Sequence, residues 1–374
     1  MKNAVIVEYV RSPFTLANKG DLKDIRPDDL AASVIKELVK RSGINSDLIE
    51  DLKLGCAFPE GEQGLNLARL VAFIAGLPIS VSGVTINRFC GSSMQSIHDA
   101  VGAIACGAGE AFICAGVESM TRVPMTGFNP APNPALYENF PDAYEGMGIT
   151  AENVAKKYKI SRKEQEEFAI KSQEKAASAR ASGKLKDEIV AQGAIKEDGC
   201  IRPGTDEKAL AGLNPAFLKK GSVTAGTSSP LTDGAAAVLV TSEEFADKHK
   251  LKKIARIKSF AVAGCDPAIM GIGPVAATKK AVQRAGIKIS DIDIIELNEA
   301  FASQSIACIR DLGFDEAKIN LDGGAIAIGH PLGATGARIT GKAAALLKRE
   351  GKKYALATQC IGGGQGIATI LEAI

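Results

Sequence analysis

The chain opens on a nearly unbroken apolar run, NAVIVEYV, rich in Val and Ile, which predicts a buried strand. Asp28–Arg41 then carries Leu30, Val34, Leu38 and Val39 at the spacing of one helical face, with Asp28 after Pro27 as the expected N-cap. LKLGCAF reads as a short strand, Leu65–Ala75 as a helix, and VSGVTINRFC as a strand running into Cys90. Ser92–Ala105 predicts an apolar helix and EAFICAGVES another buried strand. Strands that alternate with helices in this way imply an α/β fold with a largely parallel sheet.

The pattern changes near Thr121. Residues 121–146 carry several Pro and Asn and little periodicity, and 150–185 are charged and helical, with Ser161 and Glu164 spaced as a capping box. This reads as a surface-lying insert over about 121–221, ending near GSVTAG. DGAAAVLVTSEEF resumes a buried strand and a short helix. ARIKSFAVAG predicts a strand, Pro274–Ala285 a helix, IDIIELN a strand, Ala302–Leu312 and Gly336–Lys348 helices, and YALATQC a strand. Two stretches of similar alternation suggest a duplication, with halves at 1–252 and 253–374 and the insert inside the first.

Composition narrows the function. The 374 residues carry 45 basic and 43 acidic side chains, a balance that gives no nucleic-acid surface. The opening MKNAVIVEYVRSPF is too short in apolar residues for a secretory signal, and no run is long enough for a membrane span. The eight cysteines form no CxxC pair and no metal-ligand cluster, so they read as reduced thiols of a cytoplasmic protein.

Three segments can hold chemistry. In Asn87–Ser93 a helix is expected just after Cys90, and helix N-terminal N–H groups favour thiolate over thiol. Cys90 is therefore either a nucleophile or a buried structural cysteine. The second segment is GGAIAIGHPLGATG. Of the three histidines, His249 lies in a charged stretch and His98 within a packing helix, whereas His330 is surrounded by glycines. His330 is either a general base near Cys90 or a loop residue fixed by hydrogen bonds. In the third, CIGGGQG, Cys360 meets a glycine-rich turn whose N–H groups can stabilise an oxyanion. The phosphate-loop alternative lacks its Lys and its spacing. Asn298 follows a strand, where α/β folds place ligands.

Taken in order, NRFCGSSMQS, CAGVESMTRVPM, GMGITAENVAKKY, VTAGTSSPLTDGAAA, NEAFASQS, GGAIAIGHPLGATGAR and CIGGGQG resemble the thiolase family of acetyl-CoA acyltransferases over nearly the whole chain. The degradative 3-ketoacyl-CoA thiolases of bacteria are the nearest in pattern. The resemblance implies duplicated α/β halves with mixed sheets in an α-β-α-β-α arrangement, plus an inserted loop domain that covers coenzyme A. It implies Cys90 as the acylated nucleophile, His330 as its activator, and Cys360 as the second acid/base. Asn298 would hold an oxyanion-site water, and the N–H groups of Cys90 and Gly362 would form the other oxyanion site. Arg202, Ser229 and Met147 would line the coenzyme A and acyl site. Coenzyme A is then a co-substrate, with no metal and no permanently bound cofactor. The expected partners are acyl-CoA, a second copy in a homodimer or homotetramer, and a hydratase–dehydrogenase subunit. Gly146 stands where acetoacetyl-CoA-specific members carry His, which favours longer 3-ketoacyl-CoA cleavage over the alternative, condensation of two acetyl-CoA. A decarboxylating ketosynthase would use two His, or His and Asn, in place of Cys360.

Overall fold

The computed structural model describes residues 2–374. Its strands are β1 (Ala4–Arg11), β2 (Thr15–Leu16), β3 (Asp51–Gly55), β4 (Ser82–Ile86), β5 (Ala111–Ser119), β6 (Thr232–Ser242), β7 (Ala255–Gly264), β8 (Ile294–Leu297), β9 (Tyr354–Ile361) and β10 (Gln365–Ala373). The helices are α1 (Pro27–Ser42), α2 (Leu67–Ile74), α3 (Ser92–Ala105), α4 (Pro134–Asn139), α5 (Met147–Lys157), α6 (Arg162–Ala181), α7 (Glu207–Ala211), α8 (Glu243–Lys248), α9 (Gly273–Ala285), α10 (Ala302–Leu312), α11 (Ala325–Ile328) and α12 (Leu332–Glu350).

Hydrogen bonding runs through the strands in the order β4-β3-β5-β6-β1-β7-β10-β9-β8, with β2 on β6. This order contains its own repeat. β3-β5-β6-β1 matches β8-β9-β10-β7 strand for strand. The first pair of each set is parallel and the others antiparallel. β4 is an extra edge strand, parallel to β3. The two sets join only where β1 meets β7, at Val5↔Arg256 and Ile6↔Ala255.

That short seam lets the half-sheets face one another across two helices. One core contains Met94, Ile97 and Ile104 of α3 and Ala337, Ile339 and Leu346 of α12. It also contains Val238 and Val240 of β6, and Ile361 and Ile367 of β9 and β10. A second core puts Ala237 and Leu239 of β6 against α1 and α2, and a third puts Leu356, Ala368 and Ile370 against α9 and α10. Successive strand residues thus serve opposite cores, so β5 and β6 are buried at every position and read as continuous apolar runs. The layers are α-β-α-β-α, as expected.

The middle layer is packed by backbone. A Cβ at Gly336 of α12 would lie 2.3 Å from the Met94 nitrogen of α3, and one at Gly341 would lie 2.1 Å from the Tyr9 ring. Buried charges pin the layer from its other end. Arg11 pairs with Asp198 (2.6 Å) and Glu188 (2.8 Å), and Lys342 with Glu188 (2.8 Å) and Asp322 (2.7 Å). Arg338 pairs with Glu296 at 2.9 Å. Removing one partner of such a pair strands the other, at roughly 3–5 kcal/mol.

Several local expectations are corrected. Arg26, not Asp28, is the N-cap of α1; Pro27 takes the first helical position, and the Asp28 carboxylate turns back to Arg26. The strand expected to reach Cys90 stops at Ile86, because Asn87 and Ser92 side chains take up the backbone N–H groups of Phe89 and Arg88. The charged segment is two helices, with the Ser161–Glu164 capping box opening the second. α12 begins at Leu332, four residues before the predicted start, since the small residues of HPLGATG pack rather than turn. The sequence reading leaves out β10, a strand buried at six consecutive positions just behind a glycine turn.

Gly336→Ala is expected to lower the thermal midpoint, through an overpacking cost of about 1–3 kcal/mol. An unchanged midpoint in calorimetry would show that α3 and α12 can part without penalty.

Candidate active site

Cys90 sits in the turn between β4 and α3, one residue before Gly91, the N-cap of that helix. Phe89 holds a left-handed φ of +44°, unusual for an aromatic residue, and so marks strain concentrated beside the thiol. Hydrogen bonds fix the turn. Asn87 Oδ1 accepts from the Phe89 N–H at 2.8 Å, Ser92 Oγ donates to Phe89 O at 2.6 Å, and Gln359 Nε2 donates to Cys90 O. The nearby N–H groups of Gly362 and of Cys90 itself favour the thiolate. Burial outweighs them and pushes the thiol up to about 12, with the Glu118 charge adding to the rise. Cys90 at rest is therefore a thiol, contrary to the thiolate expected from the helix terminus alone.

His330 occupies the matching position before α12. The two helices meet at their first turns: Ser93 Oγ accepts from the Ala337 N–H at 2.8 Å, and Leu332 packs in one apolar cluster with Cys90, Ala57 and Met120. The His330 tautomer follows from its neighbour. Thr335 donates its hydroxyl hydrogen to Pro331 O at 2.9 Å, so at 2.6 Å from Nδ1 it accepts the Nδ1–H. Nε2 is left with its lone pair, 3.4 Å from Asn298 Nδ2. Burial lowers the His330 pKa to about 3, helped by Arg338, so the ring is neutral.

Cys360 lies one residue from the end of β9, fully buried, with its pKa well above the usual thiol value through burial and the neighbouring thiols, Cys90 first. It shares an apolar cluster with Met147, Ala151, Met270 and Phe301. Met147 begins α5, and its sulfur lies 3.6 Å from where a Cβ on Gly362 would sit. Asn298, just beyond β8, is wholly buried, and its Oδ1 has no hydrogen-bond partner. The structure thus gathers Cys90, His330, Asn298, Cys360, Gly362 and Met147. Ser229 is tied to the rim, its N–H and Oγ both donating to Ala300 O at 3.0 and 3.1 Å. Arg202 is held by its backbone alone, its N–H on Gln173 Oε1 and its carbonyl accepting from Thr205 Oγ1, and its side chain is exposed. His98 is a packing residue, on Thr369 Oγ1 at 2.8 Å and stacked on Phe260.

Comparison with known proteins identifies the family. Residues 4–244 match the thiolase N-terminal domain and residues 251–373 the thiolase C-terminal domain. The chain belongs to the thiolase family. It is 48% identical to the 3-ketoacyl-CoA thiolase of Bacillus subtilis (strain 168), over 100% of both chains. It is equally 48% identical to that of Vibrio cholerae serotype O1 (strain ATCC 39315 / El Tor Inaba N16961), again over 100% of both. The crystal structure of human mitochondrial 3-ketoacyl-CoA thiolase superposes with a TM-score of 0.92 at 37% identity, covering 100% of this chain and 99% of that one. The Bacillus anthracis acetyl-CoA acetyltransferase structure does so with 0.92 at 38%, over the same shares.

Sequence reasoning missed three residues that shape this thiolase site: Thr335, Gln359 and Glu118. Thr335 had a signal, since it falls one turn into the helix that follows His330. Gln359 and Glu118 sit near strand ends and had none. Thr335→Val removes the acceptor for the Nδ1–H and frees the ring to change tautomer. The expected result is a fall in kcat of about tenfold or more. Turnover equal to the parent enzyme would show that the tautomer is held by something other than Thr335.

Proposed function

We propose that this thiolase cleaves 3-ketoacyl-CoA with coenzyme A, giving acetyl-CoA and a shortened acyl-CoA. The observation that carries the reading is the convergence of Cys90, His330 and Cys360 from three separate elements onto one buried spot. His330 Nε2 takes the Cys90 proton as the sulfur attacks the keto carbon. The bond between that carbon and the α-carbon breaks, leaving an acyl thioester on Cys90 and the enolate of acetyl-CoA. Cys360 donates its proton to that enolate. The Cys360 thiolate then takes the proton of an incoming coenzyme A thiol, whose sulfur attacks the acyl thioester. The acyl group leaves on coenzyme A, and the Cys90 thiolate recovers its proton from His330.

Each group is suited to its step. A thiol with a raised pKa holds its proton until a strong base such as an enolate forms, and a neutral imidazole can accept one. The Cys90 and Gly362 N–H groups stabilise one oxyanion, and His330 with a water on Asn298 Oδ1 the other. Met147 and Ser229 line the acyl and pantetheine path, and Arg202 meets the nucleotide end. We take 1–252 and 253–374 as the two halves, with the insert over about 121–221 covering coenzyme A.

The 3-ketoacyl reading rests on Gly146 and on the names of the full-length relatives. Acetyl-CoA acetyltransfer is the second reading, favoured by the equally good superposition on the Bacillus anthracis enzyme. Coenzyme A serves as co-substrate, and we place the enzyme in the cytoplasm. Edge strand β4, with Val84 exposed beside Leu70, Phe73 and Ile74 of α2, suits a second copy of the chain in a homodimer or homotetramer. Phe128, Tyr137 and Phe140 are exposed in the insert, a candidate face for a hydratase–dehydrogenase subunit.

Cleavage rates on C4 and on C8–C16 3-ketoacyl-CoA test the choice; activity on C4 alone refutes the first reading. Mass analysis after mixing with acetyl-CoA is expected to find the acetyl group on Cys90, and none on Cys90→Ala. Cys360→Ala should still be acetylated yet lose turnover by about 10²–10⁴-fold.

A further inference from the structure

Glu118 is fully buried near the end of β5 and makes no ion pair among the described residues. Backbone and amide donors surround it instead. Its carboxylate accepts from the N–H groups of Ala57 (2.8 Å), Phe58 (3.2 Å) and Gly333 (2.8 Å), and from Gln63 Nε2 (2.8 Å). Cys56 Sγ adds a longer contact at 3.7 Å. These donors belong to the two walls of the thiol pocket. Ala57 and Phe58 pack on Cys90, and Gly333 is the second residue of α12, three beyond His330.

The repeat in the fold gives this position meaning. β5 in the first half matches β9 in the second. Glu118 and Cys360 are each next to last in their strand, and each faces a glycine across the antiparallel ladder, Gly234 and Gly366. Where β9 ends against the turn that carries Cys90, β5 ends against the turn that carries His330. The chemistry of α12 fits as well. Its N-cap, Pro331, offers no side chain to the first N–H groups, and a carboxylate from another strand fills that role.

We propose that Glu118 is a positioning residue of the acyl-transfer site, acting through Gly333 on the His330 turn and through Ala57 and Phe58 on the wall behind Cys90. The inference rests on the acyl-transfer reading above. There is no room for drift: a Cβ on Gly333 would lie 2.8 Å from Glu118 Oε2 and 2.7 Å from Val117 O. Burial raises the pKa of Glu118 while its four donors hold it down, and its charge, where present, opposes ionisation of Cys90.

The test compares Glu118→Gln and Glu118→Asp with the parent enzyme by kcat, KM for the acyl-CoA, and the pH profile of Cys90 alkylation by iodoacetamide. Gln keeps the shape but turns an acceptor into a donor. Its kcat should fall about 30-fold or more with KM within about threefold, and the alkylation midpoint should move to lower pH. Asp keeps the charge but falls short of Gly333, so kcat should fall while the midpoint stays. Folded Glu118→Gln enzyme with kcat within about threefold of the parent, or with an unmoved midpoint, overturns the inference. Should neither variant fold, Gln63→Met leaves Glu118 in place and removes one of its donors; kcat should drop about three- to tenfold, and an unchanged kcat overturns it. Failure of the parent enzyme to acetylate Cys90 would instead sink the acyl-transfer reading.

Discussion

Everything at the site depends on how closely two helices meet in the middle layer. α3 and α12 touch through backbone at Gly336 and Met94, and the first turn of α12 touches β5 where a Cβ on Gly116 would lie 2.1 Å from Gly333 O. Side chains at those points would push these elements apart. Cys90 and His330 each stand just before one of these helices, so a shift at the crossing is a shift between the thiol and the ring. Positioning errors of that size cost orders of magnitude in a reaction that needs near-contact between reacting atoms. The buried ion pairs at Lys342 and Arg338 act on α12 farther along its length, and Arg11 reaches it through the shared Glu188. They hold the helix in place away from the reacting sulfur.

The thiol and the imidazole are kept neutral. An ion pair between Cys90 and His330 would have to exist in a place where burial pushes the thiol up to about 12 and the imidazole down to about 3. Both shifts oppose charge separation in the resting state. The N–H groups near the sulfur and the lone pair on Nε2 become useful only when a substrate carbonyl supplies a developing oxyanion. Burial thus protects a nucleophile from side reactions and reserves the preorganised donors for the moment charge appears.

The sequence made the sheet easy to read, for a physical reason. Strands buried on both faces are apolar at nearly every position, so AVIVEYV and GAAAVLVTS stand out without alignment. The helices were equally plain wherever one face is polar. What stayed hidden came from contacts between distant segments. α12 looked like a loop at its start because glycine and proline usually break helices, yet here the glycines are demanded by the crossing with α3. β10 lay behind a turn that drew attention to its own chemistry rather than to the strand after it. Cys90 and His330 were visible through their settings, Cys360 through its glycine turn. Glu118 and Gln359 were not, since a polar residue near the end of an apolar strand carries no mark of what it touches.

The repeat explains the shape of the site as well as of the fold. The two halves bring equivalent parts to one place: a central helix with a key residue before it, and a strand whose next-to-last side chain reaches the other half's helix. If both halves had kept the same residues, the site would hold two identical sets facing one another. The chain instead diverges at each equivalent point. Cys90 is matched by a turn bearing His330, and Cys360 by Glu118. A thiol at the end of β9 can give and take a proton beside the reacting sulfur. A carboxylate in that position would add a charge next to Cys90 and hinder its ionisation. At the end of β5 the demands reverse, because the N-terminus of α12 lacks a cap and needs a fixed acceptor. The same geometry therefore serves proton transfer in one half and rigidity in the other, and what separates the two is whether the helix terminus it faces needs a negative charge.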